Sequence, residues 1–480
     1  MDELLNRLAD CESRSELLEP AQSVREDLMR TVQDYADHFI ASLKDCPAYI
    51  SGHPDLSRLR IDGRPTPLNQ LLKDYDAEVN THGIKPASGG HIGYIPGGGI
   101  YAAALGDYLA DVTNEYAGMY FGSPGAVAIE NELIDWLKQV FHFPETSVGN
   151  LASGGSIANL IALTAARDKH GIKNERIRTS VVYLSEQVHH CIHKALRIIG
   201  LEDVQVRYLE LDERSRIKTA DLKQKIAEDR RAGLNPFLVI ASAGTTDTGA
   251  VDPLREIGTI AAENKLWYHV DGAYGGFFIL CNSKKQLFSG IEMADSLVID
   301  PHKGLFLPYG LGAVLVKDKE AVFHSHHYTA NYMQDAQVEG RLNPADLSPE
   351  LTKHFRGLRL WLPLKLYGIE PFIACLDEKL LLTAYFRREL QRIGFEVGPE
   401  PDLSVSYFWY PAPGPDKNRF NEMLMQEVHR DGRVFLSSTR LNGKFVIRMA
   451  ILAFRTKKIT IDRAIAMLET CVEQTKAQFK

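Results

Sequence analysis

Apolar residues follow two different patterns along the chain, and the change from one to the other marks its organisation. In the first stretch Val24, Leu28, Val32, Tyr35, Ala36 and Ile40 recur at helical spacing until Cys46-Pro47 breaks it. A second helical face runs through Ile129, Leu133, Trp136, Leu137, Val140 and Phe141 and is predicted to end near Pro144. Beyond it the runs shorten. VVYL (181–184), FLVIA (237–241), WYHV (267–270), LVI (297–299) and AVLV (313–316) are continuously apolar, and helical stretches at 157–168, 219–231 and 253–263 lie among them. Buried strands separated by helices predict a mainly parallel sheet covered on both faces, an α/β fold. From about residue 370 a smaller α+β unit is expected, with FVIRMAIL (445–452) as a strand before a final helix. The chain thus divides into an N-terminal helical arm (1–85), a large α/β domain (86–369) and a small C-terminal domain (370–480).

Two segments break the pattern. SGGHIGYIPGGG (88–99) carries too many glycines for a helix or a central strand, so its backbone turns tightly or approaches another surface closely. The stretch 324–350 is polar and without period, and its length marks it as a candidate lid.

Composition narrows the class. The 480 residues are 45% hydrophobic and 24% charged, the balance of a folded globular chain. A net charge of -7 offers no global attraction to nucleic acid or to an anionic membrane. No apolar run is long enough to span a bilayer, and the opening MDELLNRLADCESRSELLEP lacks the basic and apolar regions of a signal peptide, so a cytoplasmic protein is expected. Six scattered cysteines without CxxC pairs read as reduced thiols.

In open α/β sheets ligands lie beyond the carboxyl ends of the strands, and polar residues follow each apolar run here. ASGGSIAN places Gly154, Gly155 and Ser156 at a helix start, where free N–H groups and the helix dipole favour a phosphate; an ordinary capped turn reads the same way. SEQVHHCIHKA carries His189, His190, Cys191 and His193 without a matching second cluster, which speaks against a metal; one ring stacking on a planar cofactor fits, as do capping or core histidines. SAGTTDTGAVDP sets hydroxyls and glycines at another strand end. WYHV ends in Asp271, and LVI is followed by DPHKG with His302 and Lys303. A buried carboxylate with a His-Lys pair one strand later supplies what pyridoxal phosphate needs: a lysine for the Schiff base and an anion for the pyridine nitrogen.

The ordered set ASGGSIAN, SEQVHHCIHKA, GTTDTGAVDP, HVDGAYGG and DPHKG resembles the group II pyridoxal-phosphate-dependent decarboxylases, which include aromatic-L-amino-acid and glutamate decarboxylases. GRVFLSSTRLNGKFVIRMAILAFRT extends the resemblance into the C-terminal region. It implies fold type I, the aspartate-aminotransferase-like fold, with a seven-stranded sheet, a small domain and an arm that embraces the partner of a homodimer. It implies that Lys303 bonds the cofactor with its amine pKa lowered beside it, that Asp271 pairs with the pyridine nitrogen, and that His189 stacks on the ring. Thr246 matches a residue close to the ring, and Gly155, Ser156 and His302 match the phosphate cup. Asp300 stands where several members have Asn. On the substrate side the resemblance places His91, Tyr94, Ile95 and Pro96, with Tyr116 to Phe121 entering from the partner.

The implied activity is α-decarboxylation of an L-amino acid to amine and CO2, leaning to an aromatic substrate. An acidic or other amino acid, decarboxylation-coupled aldehyde synthesis and transamination are the alternatives. A nucleotide-binding oxidoreductase would need a GxGxxG in an early βαβ unit, which is absent. One departure stands out: aromatic-amino-acid decarboxylases carry a lid tyrosine in a DYRHW context, and this chain has GRLNPADLSPELTKHF there, leaving Tyr328 and Tyr332 earlier in the segment.

Overall fold

The computed structural model describes residues 2–328, 342–412 and 416–479. The segment 324–350 is therefore described at its two ends, and Tyr332 lies outside the described residues.

Seven strands form the central sheet in the order Val148–Ala152, Gly312–Val316, Ser296–Ile299, Trp267–Asp271, Asn235–Ser242, Ser180–Leu184 and Gln205–Tyr208. Gly312–Val316 runs antiparallel to both its neighbours and the remaining pairs are parallel. The exception has a simple cause. Between Ile299 and Gly312 the chain forms one short helix, Pro301–Gly304, too little for the crossover that a parallel neighbour requires, so the strand returns beside the one before it.

Alternate residues of each strand feed opposite faces of the sheet. On one face Val182, Leu184, Leu238, Ile240, Val298 and Val314 pack with Ala158, Ile161, Ala162, Ala165 and Ala166 of the helix Gly155–Lys169. On the other, Val181, Tyr183, Val239, Ala241, Val270 and Leu297 meet Leu254, Ile257 and Ile260 of the helix Leu254–Asn264 and Leu133 and Leu137 of the helix Pro124–Val140. Small alanines let the first helix approach closely, which brings its N-terminus to the carboxyl edge of the sheet.

A second sheet is antiparallel throughout, in the order Glu396–Val397, Val405–Trp409, Lys444–Ala450 and Ser437–Leu441, and packs with the helices Glu370–Arg392, Lys417–Asp431 and Lys458–Gln478. The glycine-rich loop connects the two sheets. Ile92 N–H donates to Phe435 C=O and Ala450 N–H to Ile92 C=O. At Gly97 an added Cβ would fall 2.2 Å from the carbonyl oxygen of His302, so this position requires glycine where the loop crosses the lysine-bearing turn.

The arm is different. Its helices Asp2–Ser15 and Gln22–Ser42 bury no residue, and the predicted stripe Val24, Leu28, Val32 and Ile40 lies open along the second.

Candidate active site

Five loops at the carboxyl edge of the sheet converge on one cavity of about 240 Å³. Its wall holds Gly154, Gly155 and Ser156 from the start of the helix Gly155–Lys169, His189 after Ser180–Leu184, and Thr246 after Asn235–Ser242. Asp271, Asp300, His302 and Lys303 complete it from the next two strand ends. All seven residues expected to hold the cofactor are thereby brought to one place, from positions as far apart in the chain as Gly155 and Lys303.

Gly155 and Ser156 open the helix with N–H groups that no preceding turn can satisfy, and an added Cβ on Gly155 would lie 2.9 Å from Asp300 Oδ2, so the glycine lets Asp300 pack against the helix start. His302 Nδ1 donates to the carbonyl of Leu311 at 2.6 Å. Elsewhere on the wall Asp271 accepts the N–H of Ala273 at 3.0 Å and the amide of Asn159 at 3.3 Å. Burial pushes the Asp271 carboxyl up, opposed by the Ala273 N–H, the charge of Lys303 and the Asn159 amide. Lys303 Nζ lies 2.7 Å from Asp300 Oδ2. Burial disfavours the Lys303 ammonium, but the Asp300 and Asp271 carboxylates outweigh it and the amine ends above its usual value. The resemblance implied a lowered amine; the protein's own charges act the other way because this chain has an aspartate beside the lysine.

The histidines are held neutral. Burial brings His189 down to about 4, helped by the charges of His190 and Lys303, and its Nδ1 accepts the N–H of Cys191 at 3.3 Å, leaving the ring proton on Nε2. Burial alone brings His91 to about 4 and His269 to about 3. In the unfolded chain such rings bind protons from about pH 6.5 downward, whereas in the folded protein they do not until far lower, so stability rises with pH across this window. Thermal unfolding midpoints are expected to fall steadily from pH 6.5 to 4.5, with uptake of about two to three protons on unfolding near pH 5. A flat profile across that range would show that these rings are not buried as neutral groups.

His91, Tyr94 and Ile95, expected on the substrate side, do not line this cavity. His91 is buried, its ring tilted against Phe435 at 5.4 Å and edge-on to Tyr94 at 5.9 Å, while Tyr94 is exposed and Ile95 half-buried. Arg448 ties their loop to the cavity. Its guanidinium donates to the carbonyl of Gly93, to Ser437 Oγ and to the carbonyl of Thr246, a wall residue. Pattern reading took FVIRMAIL as an apolar strand and passed over this arginine, although a charged residue inside such a run was the available signal. Asn159 and Cys191 were also missed as wall residues, since each sits inside a quoted motif as an apparent packing residue. Among the described residues no cluster of three metal-ligating side chains occurs.

The family profile described as the pyridoxal-dependent decarboxylase conserved domain matches residues 54–411. The chain belongs to this family. It is 34% identical over 395 residues to an aromatic-L-amino-acid decarboxylase of Bacillus atrophaeus, spanning 81% of this chain and 82% of that one. Phenylacetaldehyde synthase of Arabidopsis thaliana is 29% identical over 91% of this chain and 93% of its own. In fold, a crystal structure of Oryza sativa TDC with PLP and tryptamine superposes with a TM-score of 0.89 at 23% identity, over 95% and 98% of the two chains. The mainly parallel sheet with its small antiparallel companion is thus fold type I.

This pyridoxal-phosphate-dependent decarboxylase acts on an amino acid, releasing its α-carboxylate as CO2. The wall suits the cofactor: a helix N-terminus for an anion, a carboxylate for a cationic ring nitrogen, and a lysine between aspartates. Two buried oxygens on that wall, Asp300 Oδ1 and Gln187 Oε1, have no hydrogen-bond partner among the described residues, as befits groups that meet a ligand.

Proposed function

We propose that this decarboxylase acts on an aromatic L-amino acid, giving the corresponding amine. The observation that carries the reading is the charge on the wall. It holds two buried carboxylates, Asp271 and Asp300, and among the described residues no arginine. An acidic side chain would add a further negative charge beside them, and the one cation among the described wall residues, Lys303, is already paired with Asp300, so the charge would be costly in a buried site. The rings of His91, Tyr94 and Phe435, joined to the wall through Arg448 and Thr246, supply aromatic surface nearby.

Bound pyridoxal phosphate supplies an electron sink for the pair released when the bond from Cα to the carboxylate breaks. We assign the surrounding roles to the chain's own residues. Gly155, Ser156 and His302 bind the phosphate, and Asp271 holds a proton at the pyridine nitrogen. His189 covers one ring face and Thr246 orients the ring edge. Lys303 would supply the amine that holds the cofactor covalently, and Asp300, 2.7 Å from its Nζ, would hold that side chain's ammonium form. His91, Tyr94 and Ile95 belong to the substrate approach.

The open apolar stripe on the arm, together with exposed Tyr101, Leu105, Tyr108, Leu109 and Val112 on the helix Tyr101–Thr113, supports a homodimer in which the arm (1–85) embraces a partner's large domain (86–369), with 370–480 as the small domain. The six free thiols fit a reducing compartment, the cytosol. Among the described residues no helix is long and apolar enough to cross a membrane.

A second reading, oxidative conversion to an aldehyde, is favoured by one observation: Tyr328 is 89% exposed and the described part of the lid beyond it, 342–350, holds no tyrosine to protonate Cα. That route would consume O2 and release ammonia and hydrogen peroxide. Incubation with the twenty amino acids, following CO2, amine, aldehyde and peroxide, decides among these. Aromatic substrates are expected to give amine and CO2 in equal amounts. Turnover of acidic amino acids in preference to aromatic ones would overturn the substrate reading, and aldehyde with matching peroxide would establish the second.

A further inference from the structure

Behind Asp271 four buried polar side chains form a row that the reaction as described does not use. Trp267 Nε1 donates to Ser296 Oγ at 2.8 Å; Ser296 Oγ lies 2.8 Å from His269 Nδ1; His269 Nε2 lies 2.7 Å from Asn159 Oδ1; and Asn159 Nδ2 donates to Asp271 Oδ2 at 3.3 Å. Trp267, His269 and Asp271 alternate along one strand and so share a face, Ser296 stands on the adjacent strand, and Asn159 comes from the helix that covers that face. His269, Ser296 and Asn159 are wholly buried.

The chemistry of the end groups fixes the direction of every hydrogen. The Asp271 carboxylate can only accept, so Asn159 turns its nitrogen to it and its oxygen to His269 Nε2, which must donate; the neutral ring then accepts at Nδ1 the hydrogen of Ser296, whose oxygen accepts the indole N–H. The imidazole then carries its proton on Nε2 and gives it to Asn159 Oδ1. The amide is left with its nitrogen toward the carboxylate, its hydrogens shared between Asp271 Oδ2 and Cys191 Sγ at 3.4 Å. Reversal would set an amide oxygen against a carboxylate oxygen. A neutral ring is required at the centre of such a row, and burial keeps His269 neutral.

We propose that Trp267, Ser296, His269 and Asn159 are positioning residues: a one-directional hydrogen-bond row that orients the Asp271 carboxylate and keeps it ionised toward the pyridine nitrogen. This rests on the reading of Asp271 as the partner of that nitrogen. Burial works against the charged carboxylate, the neighbouring Asp300 adds to that, and the Ala273 N–H, Lys303 and the Asn159 amide work for it. Asn159 is the side-chain hydrogen-bond donor on its inner side, and its orientation depends on the three residues behind it.

The test uses the holoenzyme and its H269F, H269Q and S296A variants, each also in the D271N background. The readouts are kcat and KM, the dissociation constant of pyridoxal phosphate and the absorption band of the bound cofactor from pH 6 to 9. Loss of the ring hydrogen bonds in H269F is expected to lower kcat about 10- to 100-fold and weaken cofactor binding about 10-fold, with KM nearly unchanged. H269Q, which keeps an N–H donor and an acceptor, should recover most of the loss, and S296A should fall between them. Should H269F fail to fold, S296A removes one hydroxyl and carries the same comparison. In the D271N background His269→Phe should have little further effect, because a row acting through Asp271 has nothing left to act on. Full additivity of the two substitutions, or unchanged kcat, affinity and band in H269F and S296A, overturns the proposal. A near-normal D271N enzyme is a separate failure: it removes Asp271 from the cofactor and the row's role with it.

Discussion

Replacing Lys303 by alanine is expected to reduce decarboxylation by about 1,000-fold or more, the scale associated with losing a covalent catalytic group. The amine stands on the cavity wall beside Asp300, where burial favours its neutral form and the Asp300 and Asp271 carboxylates its charged one. Borohydride treatment of the wild-type holoenzyme should bleach its visible band and leave a pyridoxyl group on Lys303, and K303A should show no such adduct. The Gly155–Ser156 end of the wall is untouched by the substitution, so the variant should still bind the cofactor reversibly through its phosphate. Peptide mapping that finds the label on another lysine would defeat the assignment.

Asp271→Asn is expected to keep much of the cofactor yet slow turnover by about 100- to 10,000-fold. An amide of the same size cannot hold a proton on the pyridine nitrogen, and the electrostatic stabilisation of charge developing at Cα is lost with it. The loss should appear in kcat with little change in KM, because the carboxylate acts on the ring and not on the substrate side chain. Asp271 is buried against Ala273 and Asn159, so the replacement also leaves the Asn159 amide facing a group that can itself donate. Turnover within a few-fold of wild type would take Asp271 out of the proposed role.

These two residues are legible in the sequence because each follows an apolar run. A buried parallel strand must end at the edge of its sheet, and polar residues placed there by local sequence gather wherever the strands lie side by side. VVYL, FLVIA, WYHV and LVI became adjacent strands, and so His189, Thr246, Asp271 and Lys303 share one cavity. The helices at 219–231 and 253–263 were equally plain, since a covered sheet imposes a helical period on whatever packs against it.

What the sequence by itself determined is therefore local: which segments are strands or helices, and which polar residues stand at their ends. The tertiary structure decided how distant groups meet. Gly312–Val316 reads like the other strands, and its reversed direction follows from the short connection before it. His91 and Tyr94 stand three residues apart on one loop, and only the folded chain shows that one is enclosed against Phe435 and the other exposed. Arg448 is committed to the carbonyls of Gly93 and Thr246, each some hundreds of residues away along the chain. The row from Trp267 to Asp271 includes Asn159, 110 positions from His269 and 112 from Asp271. Hydrogen bonds require atoms within about 3 Å and correctly directed, a condition that residue type and spacing do not encode and that only the packing of helix on sheet can meet.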